Sequence, residues 1–200
     1  MPDSNIILAS ASKSRAMLLT GAGLDIEIHP ADIDEMEIKE NFRRKGADIT
    51  ATAAALARQK AEKISRQWPE AYVIGADQML DCGGNWLDKP TDMAGAAKTL
   101  RLLRGTQHEL VTSVSIVKSE KEVWHQTDHG RLVMRKFSDA FLARYLERIG
   151  EDVLSSVGAY QLEGLGAQLF EKIDGDYFTI LGLQVLPVLE YLRSEGVIMV

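Results

Sequence analysis

Two spacings of apolar residues alternate along the chain. Short uninterrupted or alternating runs mark strands, and stripes at i, i+3, i+4 and i+7 mark helices. Ile6, Ile7 and Leu8 make a first strand, and Ala16 to Leu19 fall in a helix for which Ser12 is the N-cap candidate. Gly21 and Gly23 close that helix, and Leu24 to His29 form a second strand that Pro30 ends. Ile49, Ala53, Leu56, Ala57, Ala61 and Ile64 form the buried stripe of a further helix, opened by Asp48 or Thr50. Between them, the acidic run from Asp32 to Glu40 followed by the basic Arg43-Arg44-Lys45-Gly46 reads as an exposed loop.

The centre of the pattern is Ala71 to Pro90. Tyr72, Val73 and Ile74 begin a buried strand that continues through Gly75, Ala76, Asp77 and Gln78 to Met79 and Leu80. Asp81 to Asn85 read as a turn, after which a run from Trp86 returns as a hairpin and brings Lys89 back toward the acid. A helix from Thr91 or Asp92 buries Met93, Ala96, Ala97, Leu100 and Leu103 and stops at Gly105. Leu110 to Val117 and Val123 to Met134 form an antiparallel hairpin, and Ser138 caps a helix carrying Phe141, Leu142, Tyr145, Leu146 and Ile149. After the glycine-rich stretch from Gly158 to Gly166, Leu169 to Ile180 read as a tight hairpin around Asp174-Gly175. A last helix follows Gly182. Helices alternating with strands of both kinds indicate a mixed α/β fold.

Composition narrows the classes. With 200 residues, 46% hydrophobic and 26% charged, the chain is expected to be one globular domain, residues 1–200. A net charge of −6 argues against general binding to nucleic acid or to an anionic membrane, so an anionic ligand needs a local cluster of cations. Cys82 is the only cysteine, which leaves no intrachain disulfide and no cysteine cage for zinc. The N-terminal MPDSN lacks a basic segment followed by an apolar one, and no run reaches the ~18 apolar residues of a membrane span; a cytoplasmic location is the expectation.

Charge in unexpected places points to chemistry. Asp77 lies inside a buried strand, where an ionised carboxylate costs several kcal/mol unless a cation or hydrogen bonds offset it. At 100° per residue Lys60 falls in the middle of the apolar stripe of its helix, so its ammonium points inward. Lys13 and Arg15 occupy the first turn of the first helix, where the dipole favours acids. With Ser10 and Ser12 they suggest a phosphate cradle at the strand-to-helix junction. Among the acids after Pro30, Glu35 is the best candidate to meet Asp77 across a magnesium ion, because hard oxygen donors suit that metal. Glu163, within the glycine-rich stretch, is placed to accept hydrogen bonds from a ligand's N–H groups, whereas His125 and His129 lack a third ligand and read as surface residues.

These segments resemble the Maf family of nucleoside triphosphate pyrophosphatases nearly end to end. The matching pieces are LASASKSRAMLL from Leu8, IDE at Ile33 to Glu35, LARQKA from Leu56 and IGADQ from Ile74. DKP ending at Pro90, GAYQLEGLG from Gly158 and KIDGDY from Lys172 complete the set. The resemblance implies a two-lobed, mixed-sheet Maf/ITPase-like fold with a cleft, dependence on Mg²⁺ or Mn²⁺, frequent homodimers, and hydrolysis of a nucleoside triphosphate to monophosphate and pyrophosphate. It implies Asp77 as the catalytic acid and metal ligand, Glu35 as its metal-side partner, Lys60 and Lys89 as cleft lysines, and Ser10, Ser12 and Arg15 as the phosphate site. Ser14 stands before Arg15 where the family usually has arginine or tryptophan. Gln78 and Glu163 resemble the branch acting on 7-methyl-GTP rather than on dTTP or UTP. The alternatives are a dTTP/UTP-type pyrophosphatase and a non-catalytic nucleotide-binding regulator of cell division.

Overall fold

A computed structural model describes residues 6–199; the MPDSN segment, read above as lacking a leader, lies outside the described residues. The strands are β1 (Ile6–Leu8), β2 (Ile26–Ile28), β3 (Tyr72–Cys82), β4 (Asn85–Leu87), β5 (Gln107–Lys118), β6 (Lys121–Met134) and β7 (Phe170–Asp174). The helices are α1 (Lys13–Gly21), α2 (Glu35–Arg44), α3 (Ile49–Ser65), α4 (Met93–Leu103), α5 (Asp139–Ile149), α6 (Tyr177–Ile180) and α7 (Val185–Ser194). One seven-stranded sheet has the order β2-β1-β3-β5-β6-β7, with β4 paired to β3. It is mixed, since β1 lies parallel to both β2 and β3 while β4 and β7 run antiparallel to their partners. This is the mixed α/β class expected from the sequence.

The described residues divide into two compact units: residues 6–77, 112–128 and 182–199, and residues 78–111 and 129–181. In the first, Ile7 of β1, Ala9 just beyond it and Val73 of β3 pack with Ala61 and Ile64 of α3 and with Val117. Burying side chains such as Ile64 stabilises by about 1.5–3 kcal/mol each. The close fit of α3 depends on Gly75: a Cβ there would stand 2.1 Å from the carbonyl oxygen of Ala57 and 2.8 Å from the amide nitrogen of Ala61. Asp48 caps α3 by accepting from the Ala51 amide. In the second unit, Leu80, Leu100, Leu103, Leu132, Met134 and Tyr145 belong to one core.

Two expectations are corrected. The acidic run after Pro30 is not a loop: from Glu35 it forms α2, capped by Asp34, with Glu35 and Glu37 in the first turn and Arg43 and Arg44 in the last. Charges complementing both ends of the dipole support that helix; none of its residues is fully buried, and Ile38 and Phe42, one turn apart, are half-buried. The terminal hairpin is also different. β7 pairs with β6, with Leu132 opposite Ile173, and the second half of the supposed hairpin coils into α6. Asp176 explains the switch, because its carboxylate accepts from the Thr179 amide and starts a helical turn.

The hairpin after Cys82 forms as expected. Gly83 and Gly84 have φ of 62° and 87°, the left-handed backbone of a two-residue turn, and Leu80 faces Leu87 in the returning strand.

Candidate active site

Arg15, Glu35, Lys60 and Asp77 converge within the first unit. Asp77 is the last of its β3 residues and 5% exposed. Lys60, 7% exposed, comes from the buried face of α3, on which Leu56, Ala57, Ala61 and Ile64 flank it. Its Nζ donates to Asp77 Oδ1 at 2.6 Å and lies 2.7 Å from Glu35 Oε1. Helical periodicity therefore located the inward lysine, and Gly75 makes the contact possible by letting α3 lie against β3. Glu35 enters from the first position of α2, which Asp34 fixes. Lys63 ties the preceding segment to α3 by donating to the carbonyl of Asp32.

Arg15 closes the other side of the cluster. Its Nη1 donates to Ser10 Oγ at 3.1 Å and to the carbonyl of Ala76 at 2.8 Å, and its Nε donates to the carbonyl of Gly182 at 2.8 Å. Burial lowers the guanidinium's pKa, while Asp77 and Glu35 act in the opposite direction. The arginine thus braces the backbone one residue before Asp77 as well as bringing charge. Ser12 caps α1 by accepting from the Arg15 amide, and its own amide donates to Ser10 Oγ. Lys13 is exposed and Ser14 half-buried. The carbonyls of Ala76 and Gly182 escaped the sequence reading, since backbone acceptors leave no mark in residue type.

Gln78, Lys89 and Glu163 belong to the second unit. Gln78 follows Asp77 directly, and its amide nitrogen donates to the carbonyls of Thr179 and Ile180, both at 3.1 Å. Lys89 is exposed just beyond β4. Glu163 is exposed on the loop whose preceding residues, Gly158 to Tyr160, are buried. His125 and His129 are exposed and lie beside Glu122 and Glu109 respectively, in keeping with their reading as surface histidines.

Two facts bear on a metal. Among the described residues no group of three histidine, cysteine, aspartate or glutamate side chains could hold one. Asp77 and Glu35 nevertheless supply carboxylate oxygens that a single bridging atom reaches, and magnesium is commonly bound by one or two carboxylates with substrate phosphates and water completing the shell. This donor set fits a divalent ion that arrives with phosphate ligands. A separate cavity of about 630 Å³ lies along the other face of α3, against Ile33, Arg58, Glu62, Lys63 and Arg66, and none of the four converging residues lines it.

The chain also matches known proteins along nearly its whole length. Residues 5–195 match the family described as Maf-like protein. The chain belongs to the Maf-like family. It is 49% identical over 193 residues to a protein named 7-methyl-GTP pyrophosphatase from Rhizobium etli, covering 96% of this chain and 97% of that one. It is 50% identical to a protein named nucleoside triphosphate pyrophosphatase from Granulibacter bethesdensis, covering 95% of this chain and 96% of the relative. A 7-methyl-GTP pyrophosphatase of Rhizobium johnstonii is similar at 50% identity over 96% of this chain and 97% of its own. Among the described residues of this Maf-like chain, no helix is long and apolar enough to cross a membrane.

Proposed function

We propose that this Maf-like protein is a nucleoside triphosphate pyrophosphatase that cleaves the bond between the α and β phosphates, releasing nucleoside monophosphate and pyrophosphate. The observation that carries the reading is the buried Lys60, whose ammonium joins Asp77 and Glu35. An apolar helix face gains nothing from a lysine at its centre unless that charge has a task. Names of relatives at 49–50% identity support the same activity.

In this mechanism Lys60 and Arg15 neutralise the triphosphate, and Asp77 orients a water molecule against the α phosphorus and takes its proton as the new P–O bond forms. The bond to the bridging oxygen breaks, and pyrophosphate leaves with the electron pair. Asp77 and Glu35 would hold magnesium or manganese, which would supply further positive charge to the phosphates. Ser10 and Ser12 contribute phosphate contacts at the start of α1, and Lys89 adds a cation; the role of Lys89 rests on the motif match.

For the base, the reading favours a modified purine nucleotide such as 7-methyl-GTP. Glu163 offers a carboxylate to guanine N–H donors or to a cationic methylated ring, with Gln78 and Ser14 as further specificity positions, on the strength of the resemblance. The same reading includes a cytoplasmic location, where nucleotides are made and consumed, and a homodimer.

The test is a kcat/KM comparison of 7-methyl-GTP, ITP, UTP, dTTP and CTP with identification of both products. Asp77→Asn is expected to lower kcat by about 10²–10⁴ in a folded protein, the range for losing a positioned acid-base group. Pyrophosphate release at the wild-type rate by that variant would refute the assignment. A preference for dTTP or UTP would move the protein to the pyrimidine branch.

A further inference from the structure

Lys60 is bound to two acids at once. Its Nζ is 2.6 Å from Asp77 and 2.7 Å from Glu35, with the lysine and Asp77 side chains each 8% exposed and Glu35 45% exposed. The ammonium therefore stands where a divalent ion would stand to use the same pair, though a metal would sit nearer, at about 2.1 Å for magnesium. Arg15 feels both carboxylates through space. Two acids and two cations form a set whose formal charges cancel. A bare divalent ion approaching that set meets no net negative charge, and to bridge Asp77 Oδ1 and Glu35 Oε1 it must displace an ammonium. A triphosphate changes both conditions, because its oxygens give the two cations new partners and supply metal ligands of their own.

We propose that Lys60 is a resident counter-ion that keeps the Asp77 and Glu35 pair closed to a free divalent cation, so that metal is taken up with the nucleotide and not before it. The inference rests on the nucleotide reading above and deepens it by giving the site an order of loading. Linkage makes the effect reciprocal: nucleotide raises the affinity for metal by the factor by which metal raises the affinity for nucleotide. The charge of residue 60 sets that factor, so arginine preserves it and a neutral amide does not.

The test is a titration with Mn²⁺, read as free aquo ion by electron paramagnetic resonance, on the wild type, Lys60→Gln and Lys60→Arg. Each is titrated alone and with guanosine α,β-imidotriphosphate, with the Mn²⁺ held by the analogue itself subtracted. Without nucleotide, wild type and Lys60→Arg are expected to bind Mn²⁺ at least about tenfold more weakly than with it, a coupling of the usual allosteric size. Lys60→Gln is expected to bind Mn²⁺ without nucleotide at least about tenfold more tightly than wild type, with the nucleotide effect correspondingly reduced. Nucleotide-free wild type binding Mn²⁺ as tightly as the ternary complex would overturn the proposal, as would Lys60→Gln binding it no better than wild type. If Lys60→Gln loses its far-ultraviolet circular dichroism, the wild-type titrations decide alone. Failure of the pyrophosphatase reading is distinct: no nucleotide of the panel would yield pyrophosphate, whatever the manganese titrations give.

Discussion

Lys60 in the first unit and His108 in the second are both buried titratable side chains, and they are accommodated by opposite means. Lys60 sits among opposite charges, with Asp77 and Glu35 at its ammonium. His108, 2% exposed, sits among aromatic rings: its Nε2 meets the hydroxyl of Tyr160 at 2.8 Å, and its ring lies against Tyr160 and Phe170. Burial pushes the imidazole down to about 4 and raises the pKa of the Tyr160 phenol. One cluster offsets desolvation with charge, and the other avoids it by staying neutral. A charged cluster has groups that a ligand can recruit; a neutral one has only shape and hydrogen bonds to offer the loop above it. The contrast can be pressed from either side.

The largest effect is expected from the charged cluster. Lys60→Met removes one partner from a buried ion pair and leaves Asp77 desolvated, which costs about 3–5 kcal/mol when the remaining charge has no compensation. Urea unfolding at pH 8 measures it. The double variant Lys60→Met/Asp77→Asn is expected to recover more than half of the loss, because the carboxylate that the first change leaves without its ammonium is then gone, while Arg15 keeps its hydrogen bonds to Ser10 and to the carbonyls of Ala76 and Gly182. A cost below about 1 kcal/mol for the single variant, within the range of an exposed pair, would mean that the cluster is solvated and the contrast false.

His108 gives the second effect through pH. Its folded value lies below the unfolded value of 6.5, so the unfolded chain binds the proton first. Stability is complete above that unfolded value and falls as pH drops from 6.5 toward 4. The total is about 3 kcal/mol, at about 1.4 kcal/mol per unit of pKa difference. Between pH 7 and pH 4.5 the unfolding free energy of the wild type is expected to fall more steeply than that of His108→Asn. Equal slopes would show that the imidazole is not held neutral.

These clusters differ in how far the sequence revealed them. Lys60 and Asp77 were legible because a charge interrupting an apolar pattern breaks the period, on helix and strand alike. Glu35 was recognised as a candidate, yet its helix was not, since the run of acids and bases outweighed the one-turn spacing of Ile38 and Phe42 and the cap at Asp34. His108 stands between Gln107 and Glu109, where it looks like any residue of a half-exposed strand; only the paired Tyr160, 52 positions later, reveals its burial. Arg15 shows a third case: the residue was found, but two of its acceptors are backbone carbonyls that no side-chain pattern announces.

The smallest effect lies in the loop that the neutral cluster supports. Ala159 has φ of 56°, a left-handed conformation that costs a residue with a Cβ about 1–2 kcal/mol relative to glycine. Hydrogen bonds hold it on both sides: the hydroxyl of Tyr145 donates to its carbonyl at 3.4 Å, and the next residue, Tyr160, meets His108. Glycine keeps both bonds while relieving the strain, but it loses more chain entropy on folding, by about 0.5–1 kcal/mol. Ala159→Gly is therefore expected to stabilise by a few tenths to about 1 kcal/mol, raising the melting temperature by roughly 1–3 °C. Because Glu163 lies on the same loop, the variant is also expected to narrow the preference between 7-methyl-GTP and UTP while leaving the manganese affinity of the charged cluster unchanged. A lower melting temperature would show that the methyl group packs more favourably than the backbone is strained, which would make shape rather than hydrogen bonding the support of that loop.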